Sequence, residues 1–151
     1  MSYVNCNLCP RQCGVDRTSG ETGYCGCPDT ALVAKAMIHQ WEEPVLAGSG
    51  GSGTIFFGGC TLGCKYCQNR AISGGPVGKP VTSQELRAIM EDLIAQGAEN
   101  IDLVTPTHFL PTLIPALSPD FRCRWFIIAA AMSGWRRWKS WRGWWIFICR
   151  I

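Results

Sequence analysis

The sequence lacks a hydrophobic run long enough to cross a membrane. Its longest uninterrupted apolar stretch spans residues 125–132, whereas a membrane-spanning helix needs roughly 20 residues. No charged-then-apolar signal segment opens the chain either. These two absences lead us to expect a cytoplasmic protein without a membrane partner.

Acidic residues are missing from the last part of the chain. Residues 122–151 hold seven of the 14 Lys and Arg residues and none of the 11 Asp and Glu residues. Residues 1–121 therefore carry a net negative charge, although the whole chain has a formal charge of +3. The chain consists of two different compositions that meet near residue 122.

Cysteine, by contrast, is abundant. Ten cysteines occur in 151 residues, in a chain that is 47% apolar and 17% charged and so has the composition of an ordinary globular domain. Such a count is typical either of a secreted disulfide framework or of a reduced, metal-binding protein. Because no signal segment is present, we favour metal binding.

Two strands and two helices are predicted after this cysteine-rich beginning. Residues 53–57 form a short β-branched and aromatic run that stops at two glycines, and residues 100–105 form a second apolar run that stops at a proline. Thr82 and Glu85 have the spacing of a capping box, and Gly97 ends the helix that follows. Residues 111–117 can form a further helix. The apolar positions of the first helix recur at helical intervals: Leu86, Ile89, Met90, Leu93 and Ile94.

This alternation predicts an α/β fold with a parallel sheet. It corresponds to the opening βα units of a partial (β/α) TIM-like barrel, preceded by a cysteine-rich metal-binding segment. The predicted regions are residues 1–47 for that segment, 48–121 for the partial barrel and 122–151 for a separate tail. Residues 1–28 have no apolar periodicity, so we expect their order to come from bound metal.

The loop after the first predicted strand carries Cys60, Cys64 and Cys67 in a C-x3-C-x2-C pattern. Thiolates at this spacing suit three irons of a cubane cluster, which would leave the fourth iron open to another ligand. A zinc knuckle that takes a distant fourth ligand, or three unligated thiols, are the alternatives.

This loop and the sequence motifs around it resemble the radical S-adenosylmethionine superfamily, in particular an uncharacterised branch related to pyruvate formate-lyase activating enzymes. The similar motifs are His39 with Glu42-Glu43-Pro44, Gly-Ser-Gly-Thr-Ile-Phe-Phe at 51–57, the C-x3-C-x2-C loop, Cys-Gln-Asn at 67–69 with Ile72-Ser73, and Thr105-Pro-Thr-His108. The Gly-Gly-Glu that many relatives carry after their second strand is not found after Thr105.

The resemblance implies a cofactor and a reaction. Cys60, Cys64 and Cys67 would ligate a [4Fe–4S] cluster whose fourth iron is chelated by S-adenosylmethionine. Tyr66 would lie beside the adenine, while Thr105 and Thr107 could contact the methionyl group. An electron donor would reduce the cluster, and cleavage of the sulfonium would release a 5′-deoxyadenosyl radical for hydrogen abstraction. The substrate could be a protein on which a glycyl radical is installed.

A second set of cysteines lies in the first part of the chain. Cys6, Cys9 and Cys13 are followed by Cys25, and four thiolates can close a tetrahedral zinc site or hold a second cluster. The resemblance implies that Cys25, within Gly23-Tyr-Cys25, is the fourth ligand. Disulfides are the alternative, which the expected cytoplasmic location disfavours.

Other polar residues near these motifs carry weaker signals. Arg11 and Arg17 flank the first cysteine set, where each could meet a carboxylate or balance thiolate charge. His39 is interpreted as a hydrogen-bonded structural residue. His108 has more weight, because it follows a predicted strand, where active-site residues collect.

The tail is interpreted as an out-of-frame product. Six of the seven tryptophans lie at or beyond Trp125, interleaved with basic residues. Such a tail could suggest a segment that stacks on nucleic-acid bases or one that binds a membrane surface. However, a one-base shift near residues 122–123 gives a strand, a Gly-Gly turn, a glutamate-rich helix and a second strand. We therefore expect no nucleic-acid partner, no ligand role for Cys123 or Cys149, and an unstable or inactive 151-residue product.

Two functions follow from the sequence. The first is a radical S-adenosylmethionine enzyme in its full-length form. The second is a non-catalytic zinc or iron–sulfur protein whose cysteines only hold the fold together.

Overall fold

A mixed five-stranded sheet forms the centre of the computed structural model, which describes residues 1–42, 47–117, 121, 123 and 125–128. The strands lie in the order β3-β1-β2-β4-β5 across the sheet. They are β1 (Ala31–His39), β2 (Ser52–Phe57), β3 (Lys79–Val81), β4 (Asn100–Val104) and β5 (Trp125–Ile128). Three α-helices have both ends within the described residues: α1 (Arg70–Ser73), α2 (Ser83–Ala95) and α3 (Leu110–Ala116).

Half of the sheet has the predicted parallel arrangement. β2 pairs in parallel with β4, with Ile55 opposite Leu103, and β4 pairs in parallel with β5. The other half corrects the prediction of a parallel sheet, because β1 runs antiparallel to both β2 and β3. The described residues show an α/β fold with a mixed sheet and no closed barrel, so the partial barrel stays a prediction.

The core lies between this sheet and the two longer helices. The apolar face of α2 that the sequence predicts is buried at Leu86, Met90 and Leu93, while Ile89 and Ile94 are only partly buried. α3 packs beside α2. The largest fully buried apolar side chains are Leu8, Ile55, Phe57, Leu86, Met90, Ile101, Leu103, Phe109, Leu110 and Leu113.

The ends of α2 form as the sequence predicts. The Thr82 hydroxyl accepts a hydrogen bond from the Glu85 N–H, and the Glu85 carboxylate accepts one from the Thr82 N–H, so the capping box is complete. At the other end Gly97 has a φ of 102°, which places it in the left-handed region that favours glycine. Two local signals thus define this helix.

Four strands and helices were missing from the sequence interpretation: β1, β3, α1 and, within the predicted tail, β5. β1 has a register shift between Val33 and Lys35, and such a bulge breaks the period of two by which a strand is recognised. β3 contains Pro80 and lies at the sheet edge, where proline is tolerated. α1 has only four residues, too few for a helical period.

The cysteine-rich segment makes specific contacts with the rest of the fold. Within residues 1–28, all of which the structure describes, the one helical element is a 3-10 turn at Arg17–Ser19, in agreement with the absence of periodicity there. The Arg17 side chain is 2% exposed and donates hydrogen bonds to the backbone carbonyls of His108, at 2.7 Å, and Pro28. Its guanidinium also lies over the ring of Tyr3, 4.5 Å from the centroid. These contacts join the segment to the rest of the fold, and the expectation that bound metal orders it stays a prediction.

The predicted tail lies mostly outside the described residues. Within 122–151 the structure describes Cys123, which is half-buried, and β5. β5 adds a parallel strand beside β4. The interpretation of an out-of-frame tail stays a prediction, and Cys149 lies outside the described residues. No helix in the described part of the chain is long and apolar enough to cross a membrane.

We expect Arg17→Met to lower the free energy of unfolding by about 2–4 kcal/mol, because it leaves buried carbonyl groups without their donor. The measurement is urea unfolding of the reduced chain. Lys35→Met is the matched control at an exposed position of β1, and it should change stability by no more than about 0.5 kcal/mol. Equal effects of the two substitutions would contradict this role of Arg17.

Candidate metal centre

The three-cysteine loop begins at the carboxyl end of β2 and lies beside the carboxyl end of β4. Since the two strands are parallel, the residues that follow them meet at one edge of the sheet. Cys60 and Cys67 are half-buried, and Cys64 is exposed. All three are free thiols, so each sulfur is available as a ligand.

Two of these sulfurs already have hydrogen-bonding partners. The Leu62 backbone N–H donates to Sγ of Cys60 at 3.4 Å. Sγ of Cys67 lies 3.2 Å from the hydroxyl oxygen of Ser73, at the end of α1. Hydrogen bonds to thiolate sulfur are among the features by which a protein tunes an iron–sulfur cluster. The short helix α1, which sequence reasoning missed, thus supplies a partner to the third cysteine.

The loop supplies thiol donors that suit either a cluster or a zinc ion. A cubane holds one thiolate on each of its separate irons, whereas zinc–sulfur bonds of about 2.3 Å would require sulfurs less than about 4 Å apart. In the part of the chain that the structure describes, no three His, Cys, Asp or Glu side chains are grouped for one metal ion.

His108 connects the two strand ends. Its ring Nε2 lies 2.8 Å from the carbonyl oxygen of Gly58. Gly58 is the first of the two glycines between β2 and Cys60. A carbonyl only accepts, so Nε2 carries the proton and donates. The carbonyl of His108 in turn accepts from Arg17. A chain of hydrogen bonds therefore runs from the cysteine-rich segment through His108 to the start of the cysteine loop.

Burial sets the protonation state of this imidazole. His108 is 1% exposed, and desolvation lowers its pKa to about 4, although the bond to Gly58 acts in the opposite direction. The ring is therefore neutral near pH 7. Its Nδ1 is buried without a hydrogen-bond partner, so the geometry supports a structural donor through Nε2 more directly than a catalytic base.

The start of the loop is packed too tightly for side chains. A Cβ on Gly58 would lie 1.9 Å from the carbonyl oxygen of Val77. Gly59 has a φ of 69°, and a Cβ there would lie 2.3 Å from Sγ of Cys27. Close approach therefore requires glycine at both positions, and at Gly59 the backbone conformation favours glycine as well.

The amino-terminal cysteines lie near one another. Backbone hydrogen bonds from Cys6 to Val15 and from Gly14 to Cys6 close the loop that contains the first three cysteines, and the Tyr24 N–H donates to Sγ of Cys13 at 3.4 Å. Burial raises the pKa of Cys9, and the nearby thiols add to this effect. Those nearby thiols belong to Cys13, Cys25 and Cys6.

Cys25 and Cys27 lie in different environments. A hydrogen bond from the Cys27 thiol lowers the pKa of Cys25 below its ordinary value, whereas the same contact raises the pKa of Cys27. Cys27 is fully buried and its thiol lies within hydrogen-bonding distance of the Gly58 carbonyl. Metal ligands must be deprotonated, so Cys25 suits a ligand and Cys27 suits a core thiol that donates.

The two cysteine segments touch each other directly. Arg11, between Cys9 and Cys13, donates to the carbonyl oxygens of Thr61 at 3.0 Å and Leu62 at 3.2 Å. Its guanidinium also lies 3.6 Å from the centroid of the Tyr24 ring. Sequence reasoning placed Arg11 beside the first set of thiols, but its contact with the second set depends on the folded chain.

The remaining predicted residues lie in different environments. Tyr66 is 96% exposed, so its ring is free to take a ligand. Thr105 is half-buried with a φ of 55°, a rare conformation for a β-branched residue that is found mostly where function demands it. Thr107 is buried. Nδ1 of His39 lies 3.3 Å from a carboxylate oxygen of Glu42 but is buried without a hydrogen-bond partner, so the interpretation of His39 as a hydrogen-bonded structural residue stays a prediction.

Sequence reasoning missed the hydrogen-bonding network of this site. The residues concerned were visible as unusual types near the motifs, but their partners are backbone carbonyls, which a sequence does not mark. Position alone gave a useful signal for His108, which follows β4 directly. The residues with unforeseen roles are Arg11, Arg17, Tyr24, Cys27 and His108.

Comparison with known proteins supports an iron–sulfur site. Residues 46–109 match a family model described as a 4Fe-4S single cluster domain, of a kind found in radical S-adenosylmethionine proteins. The chain thus contains a 4Fe–4S cluster-binding domain, and the match includes all three cysteines of the loop.

A curated relative resembles part of the chain. An uncharacterised protein of Methanocaldococcus jannaschii is 38% identical over 71 residues, which are 47% of this chain and 20% of the relative. The chain therefore spans about a fifth of the length of that protein. No solved structure shows significant similarity to the chain.

We expect His108 to make stability depend on pH. Its pKa is near 4 when folded and 6.5 ordinarily, so protons bind first to the unfolded chain, and stability present above pH 6.5 is lost as the pH falls towards 4. The loss approaches about 3 kcal/mol and is already about 1.4 kcal/mol at pH 5.5. The measurement is urea unfolding from pH 7 to 4.5.

His108→Gln is the control, because its amide N–H can reach the Gly58 carbonyl and does not titrate. This variant should lose less stability than the original chain over the same pH range. Parallel pH profiles for the two proteins would show that His108 is not the buried neutral group described above.

Proposed function

We propose that residues 48–121 form the cluster-binding part of a radical S-adenosylmethionine enzyme. The observation that carries the proposal is the position of Cys60, Cys64 and Cys67, on a loop that leaves the carboxyl end of β2 within a 4Fe–4S single cluster domain. Three cysteines supply ligands for three irons and leave the fourth iron to S-adenosylmethionine. The cluster, when bound and reduced, would supply the electron that cleaves the sulfonium of this cofactor.

The chain's own residues hold and orient the two cofactors. Tyr66, adjacent to the third cysteine and almost fully exposed, offers an aromatic face on which adenine can stack. Thr105 stands at the carboxyl end of β4, on the same sheet edge as the cysteine loop, and it is our candidate contact for the methionyl group. Thr107, our second candidate for this contact, lies close to it in the sequence and is buried.

A second metal is proposed at the amino-terminal cysteines. Cys6, Cys9, Cys13 and Cys25 provide four thiols, which suit either a zinc ion or a second iron–sulfur cluster. Cys25 has the lowered pKa that favours a ligand. Because zinc needs closely grouped sulfurs and none of the described residues form such a group, the loop would have to tighten around the ion.

An electron donor and a substrate complete the proposed reaction. The resemblance to pyruvate formate-lyase activating enzymes suggests a protein substrate on which a glycyl radical is installed. Neither partner has a contact surface among the residues discussed above, so this part of the proposal rests on resemblance alone. A non-catalytic zinc or iron–sulfur protein is the result to which a failed test would point.

Substitution of the loop cysteines should remove the cluster. After anaerobic reconstitution with iron and sulfide, the chain should hold about four irons at this loop, and Cys60→Ser, Cys64→Ser or Cys67→Ser should each lose most of them. Iron analysis and visible absorption are the measurements, with Cys123→Ser as the control that keeps the wild-type content. Unchanged iron in all three loop variants would contradict the proposal.

The amino-terminal set should bind metal independently of the loop cysteines. In a chain with Cys60, Cys64 and Cys67 all changed to serine, we expect about one zinc or one cluster per chain after reconstitution, measured by elemental analysis. Additional change of Cys9 and Cys13 to serine should remove it. If the chain with these three serines holds neither zinc nor iron, the proposal of a second metal is wrong.

A further inference from the structure

Arg11 contacts the cysteine loop at two successive peptide groups. Its Nε donates to the Thr61 carbonyl oxygen at 3.0 Å and its Nη2 donates to the Leu62 carbonyl oxygen at 3.2 Å. Thr61 is 4% exposed, so few competing donors can reach its carbonyl. The planar guanidinium matches two neighbouring acceptors, which a lysine ammonium does not.

The Thr61 carbonyl belongs to the same peptide unit as the Leu62 N–H. That N–H donates to Sγ of Cys60 at 3.4 Å. A peptide group is planar, and its carbonyl and N–H point in opposite directions. Arg11 on one side and the cysteine sulfur on the other therefore hold this plane in one orientation, and a rotation of the plane would break both hydrogen bonds.

The two hydrogen bonds also strengthen each other. A charged donor on the carbonyl polarises the peptide group, which makes its N–H a better donor to sulfur. A hydrogen bond to a thiolate ligand withdraws charge from an iron–sulfur cluster and so favours the reduced form. The positive charge of Arg11, close to the same loop, acts in the same direction.

The position of Arg11 is itself fixed by the amino-terminal segment. The guanidinium lies 3.6 Å from the centroid of the Tyr24 ring, within the range of a cation–π contact. The hydroxyl of Tyr24 donates to the Leu62 carbonyl oxygen at 3.5 Å. A Cβ on Gly63 would lie 2.4 Å from that hydroxyl, so the loop approaches the tyrosine as closely as a glycine allows.

From this geometry we propose that Arg11 is a positioning residue for the cluster: it holds the 61–62 peptide so that the Leu62 N–H is directed at the Cys60 sulfur, and it thereby raises the reduction potential of the cluster. The inference rests on the proposed cluster at Cys60, Cys64 and Cys67. It assigns to the amino-terminal segment a function that does not depend on whether that segment binds metal.

The test is an EPR-monitored redox titration of the anaerobically reconstituted chain, with dithionite as reductant and iron analysis of each sample. Arg11→Gln should move the potential to a lower value. Arg11→Lys keeps the charge but not the two-pronged donor, so it should also lower the potential, by a smaller amount. Lys35→Gln removes one exposed positive charge far along the chain, and its potential should equal that of the original protein.

Each other outcome has a definite meaning. If Arg11→Gln keeps the original reduction potential, the positioning role is overturned. The role is also overturned if Arg11→Lys keeps it, because charge alone then accounts for the effect of Arg11. If Arg11→Gln takes up too little iron to titrate, the deciding comparison is between Tyr24→Leu, which loses the ring, and Tyr24→Phe, which keeps it. Tyr24→Leu should have the lower reduction potential of the two. Equal potentials for these two variants overturn the proposal. If the unsubstituted chain binds no iron, the proposed function has failed instead.

Discussion

A buried arginine connects the cysteine-rich segment to the sheet. Arg17 donates to the carbonyls of Pro28 and His108, and the His108 ring donates to the carbonyl of Gly58. These bonds act together with the burial of Leu8, Cys6 and Cys27, which also holds this segment against the core. Because unsatisfied buried carbonyls are costly, this network favours one placement of the cysteine segments over the alternatives.

The same network explains how a loop with few apolar residues acquires a defined shape. Its start is fixed by His108 at Gly58, its middle by Arg11 at Thr61, and its end by Ser73 beside the third cysteine. These contacts come from three separate parts of the chain. A cluster would therefore bind to thiols whose backbone is already held, so that less conformational entropy is lost on binding.

The sequence predicts those parts that depend on local signals. The capping box at Thr82, the strand at 53–57 and the three-cysteine loop each have a pattern with a physical cause, and the structure and the family match support them. β1 escaped prediction because a bulge interrupts its period. The partners of Arg11, Arg17 and His108 escaped because backbone carbonyls are the same for every residue type, so only the fold determines which of them an arginine or histidine meets. The later chain beyond β5 lies outside the described residues, and its predicted character is untested.

The central claim is that three cysteines hold a cluster with one open iron that S-adenosylmethionine can bind. The most direct measurement is the EPR spectrum of the anaerobically reconstituted and dithionite-reduced chain, recorded with and without S-adenosylmethionine. A [4Fe–4S]⁺ signal that changes shape when S-adenosylmethionine is added is the result this account predicts. A cluster signal that the cofactor leaves unchanged, or a chain that holds only zinc, would contradict it.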